Sequence, residues 1–316
     1  MLTTLTRRLS GLSSLIFAMM AMALALPVLA VLVSWLQWSG PSADILLEMG
    51  RTVLPDYALT TLGLCIMVAL GVTVVGLATA ALVTLFDFPG RGAFEWLLLL
   101  PLAMPAYVVA YAYTDFLQFS GPLQVALRET LGLQGRLWPD VRSVWGAALV
   151  FTLSLYPYVY LLARTALVER ASGLMEAARL LGAPLSRRIR EIALPLARPA
   201  VAAGVALALM ETLADFGVSS YFGIQTFTAG IYKAWLSMDN RIAAAQLATV
   251  LLAVVVVLLQ LEQRAQRRMR FNQGRGSRQG SAEAQPVTLQ GASRVMAWVV
   301  CSLPVLLGFV LPIFIM

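Results

Sequence analysis

Glu176-Ala-Ala-Arg-Leu-Leu-Gly182, followed by Pro195 after twelve intervening residues, is a charged, small-residue-rich loop. It lies between two long apolar runs, Val144–Val168 and Ala197–Phe222. Neither run needs such a loop for its own packing, so the loop points to something docking from outside the membrane. Each run is long enough to cross, because a helix needs about 20 largely apolar residues to span a hydrocarbon core of roughly 30 Å. Working outward, Leu15–Leu36, Leu59–Phe86, Phe94–Phe119 and Ala243–Leu261 qualify as well, and a seventh run begins near Val295 and continues to Met316. Barrel strands would instead show alternation over segments of about 10 residues. Composition agrees: 59% of the residues are hydrophobic and 12% charged, with a mean hydropathy of +0.80, outside the range of soluble domains. The fold class is all-α, a polytopic membrane protein with a six-helix core and the start of a seventh helix.

Lysine and arginine set the expected orientation. With the N-terminus cytoplasmic, the inner segments carry Arg7, Arg8 and Arg91, seven arginines from Arg164 to Arg198 and seven from Arg264 to Arg294. The outer segments keep Arg51, Arg128, Arg136, Arg142, Lys233 and Arg241. This asymmetry follows the positive-inside rule and predicts that the Glu176 loop is cytoplasmic. The net charge of +7 then belongs beside anionic lipid and calls for no nucleic-acid partner. Arg7, Arg8 and the small residues Ala21, Ala23 and Ala25 also fit a cleaved signal peptide. However, the apolar run continues past Pro27 to Trp35, and cleavage would invert the charge balance. Cys65 and Cys301 both fall inside apolar runs and offer no disulfide framework. The chain has no histidine, which removes the commonest metal ligand and general base.

Residues 1–261 read as one six-helix transmembrane domain, with the loop at 171–195 inside it. Residues 262–293 form a basic and then Gly/Ser/Gln-rich linker, and 294–316 a further membrane segment. A six-helix block, a linker and another span suggest the front of a duplicated transporter. Span three carries Pro101 and Pro105. Each removes a backbone donor and clashes one turn back, so this helix is expected to kink or restart there, and both prolines are hinge candidates.

Within the loop, Met175–Leu181 consists of good helix formers. Ala177 and Ala178 leave a low profile for a close approach, and Gly182 with Ala183-Pro184 ends the helix. A second basic stretch containing Arg187 and Arg188 leads through Leu194-Pro195 into span five. A short helix, a glycine turn and a second helix make a lever on that span. Higher in span five, Glu211 and Asp215 are four apart and are expected on one helix face. Ionisable groups at membrane depth are functional candidates by default: this face either borders a translocation path, or the two groups are hydrated near the outer interface or paired with an arginine of another helix. Phe216 and Tyr221 would lie near the outer mouth of such a path, and Asp115 is a weaker candidate of the same kind. No phosphate-binding loop, cysteine cluster or metal-ligand set is present, so no catalytic residue and no bound cofactor is expected.

At this point the chain resembles a known family. Glu176-Ala177-Ala178, Gly182 and Ile192-Ala193-Leu194-Pro195 are similar to the cytoplasmic signature of binding-protein-dependent ABC importer permeases. A second block narrows the resemblance to permeases of ferric-iron importers: Glu211-Thr-Leu-Ala-Asp-Phe-Gly217, Tyr221-Phe-Gly223, Thr226-Phe-Thr228 and Gly230-Ile-Tyr-Lys-Ala-Trp235. Leu100-Pro-Leu-Ala-Met-Pro-Ala-Tyr-Val-Val109 and Gly121-Pro122-Leu-Gln124 point the same way. Permeases for thiamine, polyamines and phosphonates are near relatives.

The resemblance implies a type I permease core in a bacterial inner membrane. The loop at 176–195 would hold the coupling helix, docked on a cytoplasmic ATPase dimer that binds the ATP. A periplasmic or extracellular binding protein would deliver the cargo. Those iron permeases are typically fused duplicates with two coupling loops, whereas this sequence carries one. The pore would therefore need a second permease half or a homodimer partner. Readings from other classes are an ion-coupled secondary transporter, which needs no ATPase, and a non-transporting fragment.

Overall fold

The computed structural model describes residues 2–37, 40–271 and 286–316, so the Gly/Ser-rich stretch Asn272–Ser281 of the expected linker lies outside the described residues. In chain order the helices are α1 (Leu2–Val33), α2 (Pro41–Thr52), α3 (Leu54–Leu85), α4 (Arg91–Leu97), α5 (Ala106–Leu117), α6 (Pro122–Leu131) and α7 (Val144–Ala166). They continue as α8 (Ser172–Leu180), α9 (Leu185–Arg188), α10 (Leu194–Ala214), α11 (Gly217–Phe222), α12 (Phe227–Tyr232), α13 (Arg241–Phe271), α14 (Ala292–Val305) and α15 (Leu311–Ile315). Two short strands, β1 (Phe86–Asp87) and β2 (Val287–Thr288), pair in parallel.

Among the described residues, six helical stretches are long and apolar enough to cross a membrane: Ile16–Gln37, Leu54–Leu85, Val144–Glu169, Leu185–Ala214, Arg241–Arg264 and Ala292–Ile315. The third expected span, Phe94–Phe119, is not one rod. Arg91–Ala103 and Ala106–Leu131 meet at 87°, with Met104 extended and Pro105 capping the new helix. The two prolines do more than kink span three: they end one helix and start another.

The chain forms two compact units. One comprises Met1–Pro55 and Gly230–Val254, the other Asp56–Ala229 and Val255–Met316. In the first, the indole Nε1 of Trp35 donates to Thr249 Oγ1 at 2.7 Å, and Gln246 Nε2 donates to the Ser34 carbonyl at 3.1 Å. These bonds pin the end of α1 to α13. Residues 16–30 of α1 are all exposed.

The second unit is built around α7, whose Phe151, Tyr156 and Tyr160 are fully buried. Glycines on three neighbours let backbones approach it. A Cβ at Gly204 of α10 would stand 2.7 Å from Val159 Cα, and one at Gly76 of α3 would stand 2.9 Å from the Tyr156 carbonyl. At Gly308 it would stand 2.8 Å from the Leu153 carbonyl. With no hydrophobic force acting between helices in lipid, such small-residue contacts carry the packing.

The break in span three leaves carbonyls that a continuous helix would satisfy. Tyr156 Oη donates to the Leu98 carbonyl at 2.9 Å and Tyr160 Oη to the Glu95 carbonyl at 3.2 Å. Irregular backbone at membrane depth persists only where such partners exist. Below them, Arg164 Nη2 lies 2.6 Å from Glu95 Oε2, and Arg91 approaches the same carboxylate at 3.8 Å.

The seventh segment packs into this second unit. Ala297, Cys301 and Val305 are buried in its core. Trp298 Nε1 donates to the Pro89 carbonyl at 2.8 Å, and its ring meets Phe94 edge-on at 4.9 Å. Tyr113 Oη donates to the Leu307 carbonyl.

Candidate functional site

Two features emerge: a helix–turn–helix lever between spans four and five, and an acidic cavity where span three breaks. The lever begins where α7 passes through a π-helical turn, Leu167–Ala171, into α8. Met175 and Ala171 are buried in the core with Ala193, and Leu185, Ile189 and Ile192 pack against it. The base of the lever is therefore anchored on the ends of both spans. Its tip is terminated by a glycine cap: Gly182 has φ +81, its N–H bonds to the Arg179 carbonyl at 2.9 Å, and the Ala183 N–H reaches the Ala178 carbonyl at 2.9 Å. That pair of bonds satisfies the last carbonyls of α8, and the left-handed backbone at its turn suits glycine.

Leu180 and Leu181 are 81% and 87% exposed at this tip. Glu176 is half-buried, with its Oε2 3.5 Å from Arg179 Nη1. Arg187 pairs with Glu191 at 2.9 Å. Arg188 is half-buried, and its Nε has no hydrogen-bond partner among the described residues. Pro195 falls in the first turn of α10, where its missing N–H costs no internal bond. The tip is thus apolar and exposed between charged flanks.

The cavity is smaller, about 190 Å³, and is lined by Leu102, Met104, Pro105 and Ala106 of the span-three break, Phe151, Ser154, Leu155 and Tyr158 of α7, and Glu211 and Asp215. The sequence places the two carboxylates on one helical face, and here the structure differs. α10 ends at Ala214, and Asp215 is extended with φ −75 and ψ 122. The cause is local: the Asp215 carboxylate Oδ1 accepts from the Val218 N–H at 2.8 Å and so starts α11. Both side chains nonetheless line one cavity.

Residues 73–271 match the family described as "Binding-protein-dependent transport system inner membrane component". The chain belongs to this family. Its relatives carry different cargoes in their names. It is 26% identical over 199 residues to the Fe(3+)-transport system permease protein FbpB 2 of Haemophilus influenzae, which covers 63% of this chain and 35% of that protein. The chain thus spans about a third of that relative's length. Over 256 residues it is 26% identical to the sulfate transport system permease protein CysT of Salmonella typhimurium, covering 78% of this chain and 87% of that one. The molybdenum transport system permease protein ModB of Escherichia coli is 27% identical over 206 residues, 63% of this chain and 88% of its own. A crystal structure of a bacterial alginate ABC transporter, in complex with an alginate pentasaccharide-bound periplasmic protein, superposes with a TM-score of 0.62. It is 18% identical and covers 86% of this chain and 97% of that one. The permease therefore shares the fold of that transporter, and it is a multi-pass inner-membrane component.

Of the path candidates in the permease, the structure brings together Glu211, Asp215 and the hinge candidate Pro105. Pro101 is buried elsewhere, against Gly308. Phe216 precedes α11 and is outside the cavity lining. Tyr221 joins a separate cluster, 5.9 Å from the Tyr111 ring and 4.8 Å beneath the Arg142 guanidinium. Asp115 is exposed on α5 and does not line the cavity. Sequence reasoning missed Ser154 and Tyr158, although the run Tyr156-Pro-Tyr-Val-Tyr160 was a visible signal. Three tyrosines inside a membrane helix must each direct a hydroxyl to a partner or into a cavity.

Proposed function

We propose that this chain is the permease half of an ATP-driven importer of ferric iron, working by alternating access. In this reading an external binding protein delivers the ion, and a second permease half, fused or separate, completes the pore. A cytoplasmic ATPase dimer engages the tip of α8, Leu180 and Leu181 with Glu176 and Gly182, and hydrolyses the ATP. The observation that carries the reading is the lever itself. It is anchored by Met175, Ala171 and Ala193 at its base and apolar at its tip, and it runs directly into α10 and so to Glu211. A push on α8 is transmitted to the wall of the acidic cavity, which is what a permease needs if the nucleotide state is to bias one of two conformations.

The iron cargo is supported by the block Glu211–Gly217 and its neighbours, which resemble ferric-iron permeases, and by the similarity to FbpB 2. The N-terminus and the α8 loop lie in the cytoplasm, as the distribution of arginine suggests. The test is uptake of radioactive ferric citrate and of radioactive molybdate by cells with and without the chain, paired with mild-detergent purification from the native membrane. Loss of ferric uptake alone, with an ATPase in the purified complex, is the expected outcome. Loss of molybdate uptake instead would replace the cargo. A purified chain with no ATPase, under conditions that keep other importers intact, would remove the coupling role.

A further inference from the structure

The geometry points to a binding site for a hard metal cation in the cavity at the span-three break, with Glu211 and Asp215 as charged ligands and Tyr158 and Ser154 as neutral oxygen donors. It rests on the import reading only for the ion's role as cargo. Four observations carry it. First, two carboxylates share a cavity whose remaining walls are chiefly Leu102, Met104, Pro105, Phe151 and Leu155, and none of the lining residues is basic. Glu211 is exposed and Asp215 half-buried, so the pair stands where an ion can reach it; two like charges lining one cavity favour a cation between them, and neither carboxylate has an ion pair among the described residues.

Second, Ser154 is 3% exposed, and its hydroxyl oxygen has no hydrogen-bond partner among the described residues. Thr84 and Ser219 share this lack of a partner, but neither lines the cavity, and other buried hydroxyls are satisfied within their own helix. Thr79, Thr114 and Thr212 each return their proton to the carbonyl one turn back. A buried polar atom left open beside two carboxylates is accounted for by a ligand.

Third, the Asp215 carboxylate is held at the start of α11 by the backbone N–H groups of Val218 and Ser219, which fixes it at the cavity wall. Fourth, the site lies where a membrane helix is interrupted, and such interruptions persist where they line a cavity or a substrate path. Carboxylate and hydroxyl oxygens suit a hard ion, and the same charges repel sulfate and molybdate. Among the described residues no group of three or more acidic, cysteine or histidine side chains is placed to hold a metal. Two carboxylates are a weaker set, as suits a stopping point that an ion must also leave.

The test uses the purified full chain in detergent, titrated with Tb3+, whose emission is sensitised by a nearby tyrosine such as Tyr158. Saturable emission that Ga3+ displaces and molybdate does not is expected. Glu211→Gln should weaken apparent Tb3+ affinity about tenfold or more, as the loss of one charged ligand implies. Asp215→Asn should act alike, because an amide oxygen still caps α11 and keeps the fold. Ser154→Ala should weaken binding while leaving the melting temperature unchanged, and Glu129→Gln, an exposed glutamate on α6, should change nothing. Wild-type Tb3+ binding by both carboxamide variants would overturn the site. If that happened while ferric uptake still depended on the chain, the cargo would stand without the site. A carboxylate-dependent Tb3+ site in a chain dispensable for ferric uptake would keep the site and remove the cargo.

Discussion

Gly204 decides how closely α10 can lie on α7. A Cβ there would sit 2.7 Å from Val159 Cα and 3.0 Å from the Tyr158 carbonyl, and these are backbone atoms that cannot rotate aside. Gly204→Ala therefore forces the two spans apart, costing about 1–3 kcal/mol by overpacking, and should lower the melting temperature of the detergent-solubilised protein. Gly173→Ala on α8, where nothing lies within 4 Å, is the matched control and should not. Tyr156 makes a different residue-scale contribution, because its hydroxyl serves a carbonyl that the broken helix has abandoned. Tyr156→Phe keeps the packing and strands the Leu98 carbonyl, so a loss of about 1–3 kcal/mol follows, read in the same thermal assay. Neither role was legible in the sequence. A glycine in a membrane helix is a common residue, and only the position of Val159 makes Gly204 a contact. The partners of Tyr156 lie 58 residues away in the chain and exist only because span three breaks.

The lever is the element whose form was most legible, because its signals are local. Good helix formers at Met175–Leu181, glycine at 182 and proline at 184 specify helix, cap and restart without reference to the rest of the chain, and α8 and α9 follow that pattern. The span-three break was half legible: Pro101 and Pro105 announced an interruption, but neither its 87° angle nor the two tyrosine hydroxyls of α7 that satisfy its carbonyls can be read from local sequence. The Glu211–Asp215 pair was misread at this scale, because the i, i+4 argument assumed that the helix continues. Asp215 and Gly217 end it instead, and this is the familiar competition between a short polar side chain and the helix backbone. The lever also yields a prediction of its own. At φ +81 a β-branched side chain is strained, so Gly182→Val should distort the tip of α8 at a cost of about 1 kcal/mol or more. Because nothing packs within 4 Å of Gly182, the damage stays local. Insertion and melting temperature should change little, while ATPase co-purification, under the proposed function, should fall. Normal ATPase association in this variant would count against α8 as the docking element.

At the scale of the whole molecule, the seventh segment is where sequence and structure organise the chain differently. Read in sequence, 294–316 stands apart, separated from six spans by a polar linker. In the structure it shares a compact unit with Asp56–Ala229, since contact is made by residues no linker analysis can connect. β2 pairs with β1, Trp298 closes over Gly90 and bonds to Pro89, and Gly308 lets the helix reach Leu153 and Pro101. This last contact matters beyond packing, because Pro101 belongs to the same interruption that supplies Leu102, Met104 and Pro105 to the acidic cavity. Span seven thus packs against the break that shapes the candidate site. Trp298→Ala removes one hydrogen bond, an edge-on contact with Phe94 and about 1–3 kcal/mol of stabilisation. It should loosen that packing without touching the cavity directly. The measurement is cysteine accessibility. Cys301, on this same helix, is fully buried, whereas Cys65 on α3 is partly exposed. A membrane-permeant maleimide should label Cys65 ahead of Cys301 in the unaltered protein. In Trp298→Ala, Cys301 labelling should rise towards that of Cys65, because the helix detaches more often. If Cys301 stays protected while Trp298 is absent, the segment is held by Ala297, Val305 and Gly308 alone, and the indole contributes nothing to its docking.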